Sequence, residues 1–262
     1  MLAPHIDPVA LQLGPFAIHW YGLMYVIGFM SVWYLTRMQL QERGLWNNGI
    51  TGEQYENLFS LLMLGVIVGG RLAYVLFYNF DYYLHNPLHV LYVWQGGMSF
   101  HGGLLGPLLV GLWYCRRHQL PFLMIADRFA IVAPLGLAAG RMGNFINGEL
   151  WGRVTDVPWA MIFPGAGPDP RHPSQLYEMG LEGIALFLLL WFTRHRKWGN
   201  GAHVAVFLMG YALARIFCEN FRQPDAQIGF LVGPLTMGML LSSVMLVAGA
   251  VGFYWANKKR VA

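Results

Sequence analysis

Fourteen residues, GRMGNFINGELWGR from Gly140 to Arg153, bring two arginines, a glutamate and two asparagines directly behind an apolar run. On a helix Arg141 and Asn144 stand three apart and share a face. A guanidinium offers a fork of donors that matches phosphate oxygens, and amide donors extend it. Gly143 and Gly148 either admit a close backbone or break the helix. Two readings stay open on these residues: a phosphate-binding constellation, or an interfacial loop whose polar groups are satisfied locally.

Four more stretches carry chemistry. In GGMSFHGGLLG (96–106), His101 precedes two glycines that would let a substrate come near the ring. A neutral imidazole there accepts a thiol proton near neutral pH, or is simply a packed, hydrogen-bonded group. In ARIFCENFRQPDAQ (214–227), Arg215 and Glu219 are spaced i, i+4 and Arg222 lies three beyond, a charge ladder on one helix face. It is either a structural ion pair or an arginine held ready for an anion. HWYGLMY (19–25) reads as an aromatic anchor. In RHPSQLYE (171–178), Ser174 reads as a helix cap and His172 as ligand or surface. Neither zinc spacing nor a phosphate-binding glycine loop is present, so no metal is expected. Cys115 and Cys218 sit in apolar segments and read as buried thiols.

The elements that must position these groups are membrane elements. Of 262 residues 56% are hydrophobic and 11% charged, with a mean hydropathy of +0.44. Soluble domains carry about 25% charged residues. A helix needs about 20 mostly apolar residues to cross a bilayer. Seven segments approach this: 20–40, 58–78, 99–114, 122–139, 176–192, 202–217 and 230–256. The first lacks a basic leader and a cleavage site, so it is expected to stay as an anchor. Arg37, Arg43, Arg116, Arg117, Arg194, Arg196, Lys197, Lys258, Lys259 and Arg260 fall in alternate connections, whereas 79–98 has no basic residue. The positive-inside rule then puts the N-terminus outside and the C-terminus in the cytoplasm, with Trp20, Tyr21, Tyr78, Tyr82, Tyr83, Trp94, Trp151 and Trp159 as an outer aromatic belt. The net charge of +4 comes from these orienting clusters, which argues against nucleic acid as a partner.

Arg128 beside Asp127 reads as an orienting or paired charge. Six arginines break the rule: Arg71, Arg141, Arg153, Arg171, Arg215 and Arg222 lie within spans or on the outer side. Each charge inside a span costs at least about 2.5–3.5 kcal/mol, so it normally faces a cavity or a partner. Together they look like a site for an anionic ligand. A transporter or flippase for an anionic lipid or metabolite would suit that too, but the chain lacks the inverted repeats such proteins carry.

HGGLLG, GRMGNFINGELWGR, RHPSQLYE and FRQPDAQ together resemble the prolipoprotein diacylglyceryl transferase family of bacterial inner membranes, over about 19–227. The outer segment 163–171 departs from the pattern, being longer in some relatives. The resemblance implies an all-α integral membrane protein, one polytopic domain over 1–262 with about seven transmembrane helices. It also implies a small periplasmic head, about 143–174, between the fourth and fifth spans, in the inner membrane. It implies transfer of the diacylglyceryl group of phosphatidylglycerol to the lipobox cysteine of a preprolipoprotein, the first step of lipoprotein maturation. A thioether forms and glycerol phosphate leaves. Membrane lipids are the remaining partner, and no cofactor is implied. Carried onto this chain, the catalytic residues are His101, Arg141, Arg215, Glu219 and Tyr21. The substrate-binding residues are Arg141, Asn144, Glu149, Gly152 and Arg222.

Overall fold

A computed structural model describes residues 1–4, 6–14, 16–46, 49–224, 229–233 and 235–261. Asp225 and Gln227 of the last motif lie outside the described residues, as do the side chains of Lys259 and Arg260. In chain order the elements are β1 (Val9–Leu13), β2 (Phe16–His19), α1 (Trp20–Glu42), α2 (Gly52–Phe77), α3 (Phe80–His85), α4 (Phe100–Arg117) and α5 (Phe122–Ile146). They continue with α6 (Ser174–Glu178), α7 (Leu186–Thr193), α8 (Ala202–Glu219), β3 (Phe230–Val232), β4 (Leu235–Thr236) and α9 (Met237–Val261). Residues Met179–Ala185 wind as a π-helix, joining α6 and α7 into one helix, Ser174–Thr193.

Among the described residues, five helices are long and apolar enough to cross a membrane: Gly52–Phe77, Phe122–Ile146, Ser174–Thr193, Ala202–Glu219 and Met237–Lys258. Only 11% of the apolar stretch of α9 is buried inside the molecule, so its apolar side chains face outward, as lipid contact requires. The protein is mostly helical and multi-pass. α1 and α4 form where the hydropathy places them, with 23 and 18 residues. Trp20, Tyr21, Trp33, Tyr34 and Arg37 dilute the apolar character of α1, as His101, Arg116 and Arg117 dilute that of α4.

One expected boundary changes, and two connections prove structured. The last helix starts at Met237 rather than 230, because β3 and β4 pair as an antiparallel hairpin whose Gly233 has φ +55°. A second hairpin, β1–β2, precedes α1 and turns through Gly14 at φ +58°. The connection 79–98 contains α3 followed by 3-10 turns at Pro87–Leu91 and Val93–Gln95.

The chain divides into two compact units, Arg37–Ile125 and Met1–Thr36 with Ala126–Ala262. In the first, α2 opens with a capping box: Gln54 N–H donates to Thr51 Oγ1 at 3.1 Å and Thr51 N–H to Gln54 Oε1 at 3.0 Å. α2 and α4 then pack backbone to backbone. A Cβ at Gly102 would strike the Gly69 carbonyl, and one at Gly106 the Gly65 carbonyl. Two facing small-x-x-x-small stripes are what helices in lipid use to approach closely. Gly102 of the HGG motif is therefore occupied by helix packing rather than held open for substrate.

In the second unit Ile131, Val132, Leu186 and Leu190 form the core, flanked by Val32, Leu35, Phe207 and Tyr211. α8 begins at Gly201, whose φ of +91° suits glycine and which has no side chain to cap the helix. Asp127 of α5 supplies the cap from outside. Its Oδ2 accepts from Gly201 N–H at 2.8 Å and its Oδ1 from Val204 N–H at 2.9 Å. Both carboxylate oxygens thus serve backbone, while the charge of Arg128, the residue read as orienting or paired, acts on the same carboxylate. An N-terminal cap of this kind is worth about 0.5–2 kcal/mol. Asp127→Ala is expected to lower the unfolding free energy of the detergent-solubilised protein by an amount in that range, read as a lower thermal midpoint. A midpoint equal to the parent's would remove the cap from the account.

Candidate active site

α5 runs past the expected end of its span to Ile146, so Arg141 and Asn144 do share a helical face. Gly148 (φ +65°) and Leu150 (φ +58°) then turn the chain out of the helix. Asn144 Nδ2 donates to Glu149 Oε1 at 2.8 Å, and Asn147 Nδ2 reaches the same oxygen at 3.5 Å. Gln175 Nε2 donates to Glu149 O at 2.7 Å and Ser174 Oγ to Leu150 O at 3.1 Å, which pins this turn to the start of α6. Ser174 is thus not the cap expected of it; Pro173 holds that position and the buried hydroxyl ties down a neighbouring carbonyl.

Gly143 is where α1 comes closest. A Cβ there would sit 2.7 Å from the Tyr21 ring, so the glycine lets the aromatic lie against α5. The Tyr21 hydroxyl stands 3.4 Å from that of Tyr25 and within reach of Asn144. Gly152 works similarly. It bridges to Arg222, and a Cβ would strike the backbone oxygens of His172 and Phe221 at 2.5 and 2.6 Å. The physical role visible for Gly152 is to let three stretches of backbone meet.

The centre of the site is a buried ion cluster. Gly183, in the π-helical turn, packs on Ala138 of α5, its would-be Cβ 2.9 Å from the Ala138 Cα. This contact sets Glu178 and Glu182 beside Arg141, one turn further along. Arg141 Nε lies 2.6 Å from Glu178 Oε2, and its Nη2 3.5 Å from Glu182 Oε2. Arg215 Nη1 lies 3.2 Å from the same Glu178 oxygen and 3.5 Å from Glu182 Oε1, while its Nη2 meets Glu219 Oε2 at 2.8 Å. Arg222 Nη1 reaches Glu178 Oε1 at 3.3 Å. Three guanidiniums thus face three carboxylates. The side chains of Glu178 and Glu182 are 0% and 1% exposed, while that of Arg141 keeps 20%. Glu178 Oε2 lies off the N–H directions, so its contacts are ionic rather than well-aligned hydrogen bonds.

Glu219 has a second support. Its Oε1 accepts from Thr236 Oγ1 at 2.9 Å, just ahead of α9. A Cβ at Gly238 would meet the carboxylate at 2.8 Å, so the glycine makes room for an anion at a helix N-terminus, where the dipole favours it.

The expected Arg215–Glu219 pair is therefore present, but the ladder does not continue to Arg222. α8 ends at Glu219, the helical spacing lapses, and Arg222 turns to Glu178 instead. The six arginines that break the charge rule also divide. Arg141, Arg215 and Arg222 enter the ion cluster, whereas Arg71, Arg153 and Arg171 donate to backbone carbonyls. Glu178 and Glu182 were given no role from sequence, although two carboxylates four apart at the head of an apolar span were a signal that the span arginines needed partners. Tyr211, one turn before Arg215 and within electrostatic reach of Arg141, was missed as well. His172 is half-buried. Its Nδ1 lies 3.1 Å from Tyr177 Oη, which accepts from Trp159 Nε1 at 2.6 Å. Burial lowers its imidazole pKa below the ordinary value, which suits an acceptor role at Nδ1. His101 lies in the other unit, exposed, in the first turn of α4.

Residues 8–255 match the family described as prolipoprotein diacylglyceryl transferase. A protein of Legionella pneumophila named phosphatidylglycerol–prolipoprotein diacylglyceryl transferase is 52% identical over 257 residues, covering 97% of this chain and 98% of the relative. Relatives of the same name from Aliivibrio salmonicida and Bordetella parapertussis are 52% and 54% identical. They cover 98% and 96% of this chain and 90% and 95% of themselves.

Removing one partner of a buried ion pair costs about 3–5 kcal/mol, because the other charge stays behind in a medium that does not solvate it. Glu178 touches all three cluster arginines. Glu178→Gln is expected to lose stability in that range in thermal unfolding, and Glu149→Gln, at an exposed position, much less. Equal losses would mean that the cluster is not what holds these helices together.

Proposed function

The chain belongs to the prolipoprotein diacylglyceryl transferase family, and on that basis we propose that it moves the diacylglyceryl group of phosphatidylglycerol onto the lipobox cysteine thiol of a preprolipoprotein. The observation that carries the mechanism is the convergence of Arg141 and Arg215 on one oxygen, Glu178 Oε2, at 2.6 and 3.2 Å. Two guanidiniums that close on one carboxylate oxygen are spaced to close on a phosphate oxygen, and the partial exposure of Arg141 gives that phosphate an approach.

In the reaction the cysteine sulfur forms a bond to the glyceryl carbon, and the carbon–oxygen bond to phosphate breaks. The electron pair leaves with glycerol phosphate, whose charge grows in the transition state. Cations already fixed in a dry site stabilise that charge without reorganising. The glutamates hold the guanidinium planes: Glu219 fixes Arg215 from one side, and Glu178 and Glu182 tie it to Arg141. His101 accepts the thiol proton, since thiolate is the nucleophile. Asn144, Glu149 and Tyr21 shape the lipid-facing edge of the Arg141 turn. Arg222 braces Glu178, and Gly152 lets the backbone close behind it. Family membership decides for the enzyme over an anion transporter.

The same proposal places the chain in the bacterial inner membrane as one polytopic domain, 1–262. α1 and α4 complete seven spans, and 143–174 forms a periplasmic head. The N-terminus is periplasmic and the C-terminus cytoplasmic. Preprolipoprotein and membrane lipids are its partners, without nucleic acid or a cofactor. The bridges that join 152–154 and 161 to 171 and 222 support a folded head.

The test is mass spectrometry of a lipobox peptide incubated with phosphatidylglycerol and purified protein, where the product gains one diacylglyceryl group. Losing a donor to developing charge costs about 100- to 1,000-fold in rate. Arg141→Ala is expected to fall at least that far, and Arg141→Lys to recover only part, because a point charge lacks the fork. Near-parent turnover in the alanine variant would take Arg141 out of the mechanism. For the base, His101→Gln is expected to slow turnover and to flatten the rise of rate with pH on the acid side. An unchanged profile would leave His101 a packing role.

A further inference from the structure

We infer that Arg71 is a positioning residue for His101, acting through the backbone that leads into α4, and that it binds no anion. The inference rests on the proposed role of His101. By residue type and place Arg71 resembled the other outer-side arginines, yet it is 4% exposed and its guanidinium is saturated by carbonyl oxygens. Nε donates to Val90 O at 2.9 Å. Nη1 donates to Gly96 O and Gly97 O at 2.5 and 3.1 Å, and Nη2 to His89 O and Tyr92 O at 2.6 and 3.2 Å. A guanidinium has five N–H donors, and five carbonyls take them. The Tyr83 ring covers one face at 5.1 Å. No donor is left for a phosphate.

These carbonyls belong to one short stretch of chain, 89–97, which ends two residues before the cap of α4. The neighbouring residue of α2 completes the attachment: Gly70 O accepts from Ser99 N–H at 2.9 Å. Ser99 Oγ then accepts from Gly102 N–H at 3.4 Å and starts the helix, with His101 in its first turn. Gly97 is fitted to the joint, because a Cβ there would lie 2.9 Å from Arg71 Nη1 at a backbone φ of +75°. The first turn of α4, which carries His101, is thus tied to two adjacent residues of α2, one by backbone and one by guanidinium, where the Gly102–Gly69 packing begins. Lysine cannot do the same, having three donors and no planar fork.

The experiment combines turnover of the lipobox peptide with a spin label at Leu91→Cys, a position 68% exposed beside the clamped carbonyls. Cys115 and Cys218 are buried, so the introduced thiol takes the label. Arg71→Lys is expected to mobilise the label and to slow turnover by about tenfold or more, as a small misplacement of a reacting group does. In the His101→Gln background the same substitution is expected to change turnover less than about twofold, because the group it positions is gone. Gly97→Ala, which disturbs the joint from the other side, is expected to reproduce both effects should Arg71→Lys fail to fold. An unchanged label in these variants would overturn the clamp. A slow His101→Gln enzyme in which the Arg71→Lys loss persists in full would overturn the link to His101 while leaving the base assignment intact. Parent-level turnover of His101→Gln alone would instead remove His101 from the reaction, and this inference with it.

Discussion

A guanidinium cannot give up its charge by losing a proton, so wherever it is taken out of water it must be met by an anion or by carbonyl dipoles. That constraint organises this protein. Arg141, Arg215 and Arg222 meet three carboxylates, and the elements that carry them are drawn together as a result: α5 brings Arg141, α6 and its π-helical turn bring Glu178 and Glu182, α8 brings Arg215 and Glu219, and Arg222 follows α8. Apolar packing alone would leave the helices free to slide, since lipid is as apolar as leucine. The ion cluster fixes their register, and small residues at Gly183 and Ala138 let the backbones come near enough for it to form.

Arg71, Arg153 and Arg171 show the second solution to the same constraint. Arg153 donates to Glu219 O at 3.1 Å, one of the carbonyls left without a partner at the end of α8, and to Arg222 O at 2.9 Å. Arg171 gathers Gly152 O and Ala166 O in the segment between α5 and α6. These residues organise backbone, so neither sequence position nor residue type alone tells a ligand-facing arginine from a scaffolding one. What tells them apart is the partner. The cluster arginines face carboxylates, whose oxygens take the donor geometry that phosphate would take, whereas Arg71, Arg153 and Arg171 face carbonyls.

Patterns of short range were legible in the sequence. The helices fall close to where hydropathy puts them, because bilayer thickness fixes their length. The Arg215–Glu219 pair follows from i, i+4 spacing and is present at 2.8 Å. Where the chain leaves regular helix the reading fails. Arg222 does not extend the ladder, since α8 has ended. Ser174 does not cap, since a carbonyl 24 residues away claims its hydroxyl. Gly102 packs against Gly69 rather than opening the ring of His101, a contact set by the crossing of two helices. Glu178 and Glu182 pass unnoticed because an acidic residue at the head of a span reads as its polar edge, and only the fold shows three cations converging there. The hairpins at either end depend on glycines at positive φ, a conformation that glycine permits without requiring it.

The dipoles of α8 and α9 carry the same logic down to single residues. The first free N–H groups of α8 are met by Asp127 from α5, and a carbonyl at its far end by Arg153 from the turn after α5. Both caps come from outside the helix, because Gly201 has no side chain to offer and the last turn of α8 has given its own charged groups to the cluster. Glu219 then stands at the head of α9, where Gly238 leaves it space. A carboxylate so placed is held by the helix dipole, by Thr236 and by Arg215 together. Moving it would break all three at once. The orientation of Arg215 is therefore fixed less by its own helix than by how α8 and α9 end and begin, and the short β3–β4 hairpin between them is part of what sets the site.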